Sequence, residues 1–237
     1  GGPTDNVIPI WKAAAPALDF VAPDIYMNDA TAYLKVLELY HRDDNALFVP
    51  ETSGSASVAR FFFSALGMQA IGFSPFGLDY SINPAPPANA PSPQNDLLAP
   101  TAQNYRLIAP MMRDIARLNF EGKLKATAEE KGNATETLQF GQWNAVVSYG
   151  AARNSRAAGN PEPIGRALVA QLADNQFLVT GLVSRVDFRP ADTDKRRQFM
   201  RVEEGTHENG RFKFIRILNG DETDYGLNFR PGAEPLV

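Results

Sequence analysis

The stretch NALFVPETSGSASVARFFF, residues Asn45 to Phe63, reads as strand, acid, turn and helix in immediate succession. Leu47, Phe48 and Val49 form a short apolar run of the kind buried on both faces of a parallel sheet. Pro50 has no amide hydrogen to donate, so it is expected to end the ladder and deliver Glu51 to the sheet's carboxyl edge. Thr52-Ser53-Gly54-Ser55 supplies a turn with helix-capping hydroxyls. Val58, Phe61, Phe62, Ala65 and Leu66 then make an i, i+3, i+4, i+7, i+8 stripe that Gly67 is expected to close. In parallel α/β sheets the carboxyl edge is where ligands and catalytic groups sit.

The same unit recurs on either side. Upstream, Asp5 or Asn6 can cap a helix carrying Val7, Ile8, Trp11 and Leu18. Leu18 to Pro23 then reads as a strand leading to Asp24-Ile25-Tyr26, and Asn28 or Asp29 can cap a helix with Tyr33, Leu34, Leu37 and Tyr40 on one side. Downstream, Ala70 to Pro75 is a third strand, followed by Phe76-Gly77-Leu78-Asp79. Three strands thus end at Pro23, Pro50 and Pro75, 27 and 25 residues apart. That is the length of a strand, a helix and two short loops, so the pattern is a βα repeat.

Beyond it, Ser81 to Pro100 is rich in Pro, Ala, Asn and Ser and reads as a long loop. A helix resumes from Thr101 to about Asn119, with a kink predicted at Pro110. After Lys123 the apolar period changes from helical to alternating. Thr135–Phe140, Asn144–Tyr149, Arg166–Ala173, Gln176–Val183, Gln198–Glu203 and Arg211–Leu218 are expected strands, with hairpin turns at Asp174-Asn175 and Glu208-Asn209-Gly210. The expectation is therefore α/β plus all-β: residues 1–120 as the C-terminal portion of a (β/α)8 TIM barrel (the last three strands and the closing helix), and 121–237 as a β-sandwich. The barrel is preferred because three parallel strands alone leave much edge exposed and the chain begins in mid-pattern. A small open α/β sheet is the alternative.

Composition narrows the function classes. The 237 residues carry a formal charge of −4 and a pI near 5.3, with no basic stripe, which argues against nucleic acid and anionic lipid as partners. There is no cysteine, hence no disulfide frame or thiolate nucleophile. The two histidines, His41 and His207, lie far apart without metal-ligand spacing, and both read as solvated surface groups. No run approaches the length of a membrane span. No cofactor or metal site is expected.

At the strand ends, Glu51 with Tyr26, Phe73, Phe76 and Asp79 would form a rim of acid and aromatic platforms. Sugars suit such a rim, because their CH faces stack on rings and their hydroxyls need carboxylate acceptors. Asp24 and Asp79 can equally cap a turn or accept a backbone amide. Ser53-Gly54-Ser55-Ala56-Ser57 partly mimics the nucleophile elbow of an esterase but lacks its final glycine. Trp143, Tyr149 and Phe177 could line a sugar platform on the β region, although buried core is the commoner fate of such residues.

GGPTDNVIPIWKAAAPALDFVAPDIYM, ALFVPET and AIGFSPFGLDY resemble the C-terminal half of the barrel in bacterial β-galactosidase-like proteins, which are similar to glycoside hydrolase family 35 in the retaining (β/α)8 clan. The segment after Lys123 resembles the all-β domain of unassigned role that follows it. The resemblance implies a retaining β-galactosidase in which Glu51 is the nucleophile. It also implies a carbohydrate substrate and an upstream half of the barrel as partners, and leans towards a periplasmic or extracellular location, with the cytoplasm open. It places the acid/base glutamate after an asparagine in a strand that these residues do not contain, so low activity is expected of this chain alone. A non-catalytic carbohydrate-binding or scaffold module, and a serine esterase, are the other readings.

Overall fold

A computed structural model of the chain describes residues 3–77, 93–150 and 159–230. The chain divides into two compact units, Gly1–Tyr105 and Arg106–Val237.

In the first unit a 3-10 turn, Asp5–Val7, leads into α1 (Ile8–Ala14), β1 (Asp24–Ile25), α2 (Ala30–Tyr40), β2 (Phe48–Thr52), α3 (Ala56–Ala59), α4 (Phe61–Gly67) and β3 (Gly72–Pro75). Helix α2 begins where the Asp29 side chain accepts from the Ala32 amide at 2.8 Å, and it buries Tyr33, Leu37 and Tyr40. The helix after Glu51 departs from the expected stripe. It is broken at Arg60, and every residue from Phe61 to Leu66 is buried, so it is enclosed all round. Gln69, at φ 61°, and not Gly67, takes the left-handed position that ends it.

The three strands form one parallel sheet in the order β1-β2-β3. This sheet is open, with β1 and β3 as its edges, and no sheet among the described residues closes on itself. The expected portion of a TIM barrel over residues 1–120 is therefore corrected to a small open parallel α/β sheet. Neighbouring parallel strands with helices between them agree with the sequence, but of the three expected strand-ending prolines only Pro75 ends one: residues 18–23 are not a strand, β1 follows Pro23, and β2 runs past Pro50. Closure depends on strand number, tilt and stagger together, and no local pattern encodes those.

Asn45 fixes how the chain enters β2. Its buried amide accepts from the Val21 N–H at 2.7 Å and donates to the carbonyls of Val21 and Tyr40 at 2.9 and 3.0 Å. Removing it strands buried backbone groups in two segments. Asn45→Ala is expected to destabilise the first unit by about 2–4 kcal/mol, read as a lower chemical-denaturation midpoint, and a loss below about 0.5 kcal/mol would contradict this role.

Residues 78–92 lie outside the described residues. Pro93 to Pro100, expected as the end of a long loop, instead open helix α5 (Pro93–Ile108), with Pro100 inside it. A 3-10 turn, Ala109–Met111, contains Pro110 and separates α5 from α6 (Met112–Phe120).

The second unit continues with β4 (Leu124–Ala128), β5 (Thr135–Phe140), β6 (Trp143–Tyr149), β7 (Arg166–Ala173), β8 (Gln176–Leu182), β9 (Ser184–Pro190), β10 (Glu203–Glu208), β11 (Arg211–Ile217), α7 (Gly220–Thr223) and β12 (Leu227–Phe229). Sheets β4-β7-β8 and β12-β9-β6-β5 are antiparallel and face each other across one core. Leu138, Phe140, Ala145, Val147, Val186 and Phe188 meet Ala167, Val169 and Val179 there, with Phe177 packed against them. The β-rich character of this unit agrees with the sequence. Strands β4, β9 and β12 were not read in it, and Gln198 to Val202 are not a strand. The corner between β8 and β9 is a single residue, Val183, at φ 52°, a position a β-branched side chain rarely takes. A continuous apolar pattern across that corner therefore hid a change of sheet.

Strand β7 shows why α6 matters. Ala167 and Val169 point into the core, yet Leu168 and Ala170, on the opposite face, are also fully buried. Helix α6 packs on β4 and β7 and turns Ile115 and Leu118 inward. The expected closing helix of a barrel is the cover of this sheet.

Glu129, buried just after β4, holds the loop that returns the chain to β7. It accepts from the Asn160 amide and side chain at 2.5 and 2.7 Å, and from the Ile164 and Gly165 amides at 3.1 and 2.9 Å. Glycine is required at the approach: a Cβ on Gly159, at φ +92°, would stand 2.8 Å from the carboxylate, and one on Gly165 would stand 2.5 Å from the Tyr149 ring.

Candidate functional site

Strand β2 does not stop at Pro50. It runs to Thr52 with an irregularity in its pairing to β3: Val49 opposes Phe73, and the next partners are Thr52 and Pro75. Three steps on β2 thus match two on β3, which is a bulge at Pro50-Glu51. A bulge tolerates a residue without an amide hydrogen and re-aims its neighbour's side chain. On the other side Glu51 stays in register with Asp24 of β1.

Tyr26 follows β1 directly, and its phenol donates to Glu51 Oε1 at 2.6 Å. The Tyr26 pKa is pushed up to about 12, first by this hydrogen bond, then by burial and by the charges of Glu51 and Asp24. The phenol therefore stays protonated at any physiological pH and acts as the donor. Among the described residues Oε2 has no hydrogen-bond partner.

Beneath Glu51 lies a buried relay. The Tyr33 phenol and the Thr52 hydroxyl are 3.0 Å apart, and Thr52 donates to the Ile25 carbonyl at 2.6 Å. Since Thr52 has one proton and the carbonyl can only accept, Tyr33 must donate to Thr52. Burial pushes the Tyr33 phenol well above its usual range, with the bond to Thr52 opposing. Tyr33 also stacks on Phe61 at 4.1 Å, and the Arg60 guanidinium lies 4.1 Å over the Phe61 ring's centre. The ends of β1 and β2 are thereby tied together under the carboxylate.

The other expected rim residues divide. Tyr26 is 52% exposed and Phe76 is 65% exposed, while the Phe76 amide bonds to the Thr52 carbonyl at 2.8 Å, one residue from Glu51. Phe73 is only 7% exposed and packs edge-on against Phe62, so its ring belongs to the core and offers no stacking face. The alternation of β3 puts it there. Asp79 lies outside the described residues. The Ser55 and Ser57 hydroxyls are 3.2 Å apart, Ser57 reaches Asn28, and no histidine bonds to either among the described residues.

A second feature includes two of the three aromatics offered as a sugar platform on the β region, Trp143 and Phe177. The second unit contains a cleft of about 930 Å³, with Trp143, Phe177, Phe199, His207 and Phe212 among its walls. His207, expected to be a solvated surface group, is partly buried, and its Nδ1 is buried without a hydrogen-bond partner. Burial lowers its pKa, with Asp114 opposing. Tyr149, in contrast, is buried core, donating to Thr127 at 3.3 Å. The sequence singled out Trp143 and Phe177, but the cleft also depends on the non-strand segment around Phe199, which has no periodic signal.

No three potential metal ligands stand together among the described residues, and no described helix is long and apolar enough to cross a membrane. A family model described as a domain of unknown function, DUF5597, matches residues 101–230, more than half of the chain. The chain belongs to the DUF5597 family. No curated protein matches it. The DUF5597 match takes in α6, all strands from β4 to β12 and the whole cleft, whereas Glu51 and Tyr26 precede it.

Proposed function

We propose that Glu51 is the nucleophile of a retaining glycosidase acting on terminal β-galactosides. The observation that carries the reading is the 2.6 Å bond from Tyr26 to Glu51 Oε1 at the carboxyl ends of two adjacent parallel strands. A protonated phenol fixes one carboxylate oxygen and leaves Oε2 for attack. In the first step Oε2 bonds to the anomeric carbon as the bond to the leaving oxygen breaks, and a second carboxyl about 5 Å away protonates that oxygen. In the second step that group takes a proton from water, which displaces Glu51 and releases the sugar with retention. The resemblance supplies the sugar and places the proton donor in sequence that these residues do not contain. Exposed Tyr26 and Phe76 offer rings for the CH face of a pyranose.

The reading is tested by chemical rescue in the protein that carries the proton donor. Glu51→Gly is expected to be inactive on an aryl β-galactoside and to regain turnover with added azide, giving the α-galactosyl azide. Folded Glu51→Gly protein that azide leaves inactive, or that gives a β-azide, would overturn the assignment.

A further inference from the structure

We infer that the cleft of the second unit is a binding site for a short neutral oligosaccharide, separate from Glu51. This goes beyond the proposed hydrolytic role and does not rest on it. The volume, about 930 Å³, lies at the upper end of the range in which ligand pockets fall, roughly 300–1,000 Å³. The walls supply what a pyranose needs. Trp143, Phe177 and Phe199 are half-buried, so part of each surface remains uncovered. The Trp143 ring is held in place by its N–H, which donates to Asn175 Oδ1 at 2.8 Å.

Three of the four arginines on the cleft wall are paired with carboxylates. Arg197 is bonded to Asp187 at 2.6 Å, Arg117 to Glu121 at 3.0 Å, and Arg201 pairs with Glu203. With these three matched and Arg230 the one wall arginine without an ion pair among the described residues, the wall gives a phosphate or carboxylate little to bind. The exposed amides of Gln176 and Gln198 stand at the same opening and can both donate and accept. His207 adds an independent indication. Its Nδ1 is a buried polar atom without a partner, 5.6 Å ring to ring from Phe212 on the cleft wall. Such an atom carries a free-energy penalty until something bonds to it. A sugar hydroxyl suits either imidazole tautomer, because it donates to one and accepts from the other.

The chain contains two tryptophans, so Trp11→Phe leaves Trp143 as the sole indole reporter, in the wall of the cleft. β-1,4-Galactotetraose and cellotetraose are titrated into the full chain carrying that change. At least one is expected to give a saturable change in Trp143 emission with a dissociation constant of about 1 mM or tighter. Phe199→Ala and His207→Leu are each expected to weaken binding by about 10-fold or more, and Glu51→Gln to leave it unchanged. Gln198→Ala, an exposed change, serves if either of the first two variants loses its near-ultraviolet circular dichroism, and should weaken binding several-fold. Absence of saturable binding by either tetrasaccharide would overturn the inference. So would tighter binding of a sulfated tetrasaccharide, or binding that Glu51→Gln abolishes while the cleft variants preserve it. Failure of the Glu51 proposal alone leaves these outcomes untouched.

Discussion

Glu51→Gln should lower hydrolysis of an aryl β-galactoside by roughly 10⁴-fold or more while leaving substrate affinity nearly unchanged. At about 1.4 kcal/mol per decade, that is a loss of about 5–6 kcal/mol of transition-state stabilisation. The expectation follows from what the substitution keeps. Gln is nearly isosteric, its carbonyl oxygen can still accept from the Tyr26 phenol, and the buried Tyr33–Thr52 relay below is untouched. Only the anion is lost, and with it the bond to the anomeric carbon. Steady-state kinetics on the protein that carries the proton donor make the comparison. A Glu51→Gln protein with near-normal kcat would assign the residue to structure and move the search elsewhere on the carboxyl edge.

The largest stability effect is expected at Glu129. Four N–H groups converge on its carboxylate from Asn160, Ile164 and Gly165, and the carboxylate is buried. Glu129→Ala leaves those donors around an empty space and should destabilise the second unit by about 3–5 kcal/mol. Glu129→Gln should cost less, about 1–3 kcal/mol, because its oxygen still accepts while its NH₂ group faces N–H donors. Denaturation followed by Trp143 emission in the Trp11→Phe background reads this unit. If Glu129→Gln unfolds within about 0.5 kcal/mol of the parent, the carboxylate does not hold the loop.

What the sequence made legible was local. Asp29 and the Tyr33, Leu37, Tyr40 stripe marked α2 correctly, because capping and helical periodicity are written within one turn of each other. Asn209-Gly210 marked a hairpin for the same reason. Both residues have φ > 0, at 51° and 73°, as a two-residue turn demands. What was misread depends on distant partners. Pro50 looked like a stop, but the cost of its missing amide hydrogen is absorbed by a bulge against β3, which only the paired strand reveals. The helix Met112–Phe120 shows an apolar face, and nothing in its own residues says whether that face covers a parallel sheet or the antiparallel β4 and β7.

At the candidate site, the place of Glu51 near the carboxyl end of β2 was legible and its setting was not. An apolar run followed by a proline and a carboxylate placed Glu51 near a strand's carboxyl edge, although β2 continues through Pro50 to Thr52. Tyr26 and Phe73 are both aromatics near strand ends, yet one bonds to Glu51 and the other packs on Phe62. Tyr26 lies past the end of β1, where side chains leave the sheet, whereas Phe73 sits inside β3 on its buried face. Of the cleft of the second unit, Trp143 and Phe177 were legible as platform candidates and the rest was not, since its walls come from strands, a helix and an irregular segment brought together only by folding.

The account's central claim is that Glu51 forms the bond to the sugar. Incubation of the intact protein with 2,4-dinitrophenyl 2-deoxy-2-fluoro-β-galactoside tests it most directly, because dinitrophenolate departs without protonation and the fluorine slows release of the adduct. Mass spectrometry of the digested protein should find one fluorogalactosyl group, esterified to Glu51, and none in Glu51→Gln. A label on any other carboxylate, or an unmodified wild-type protein after prolonged incubation, would contradict the claim.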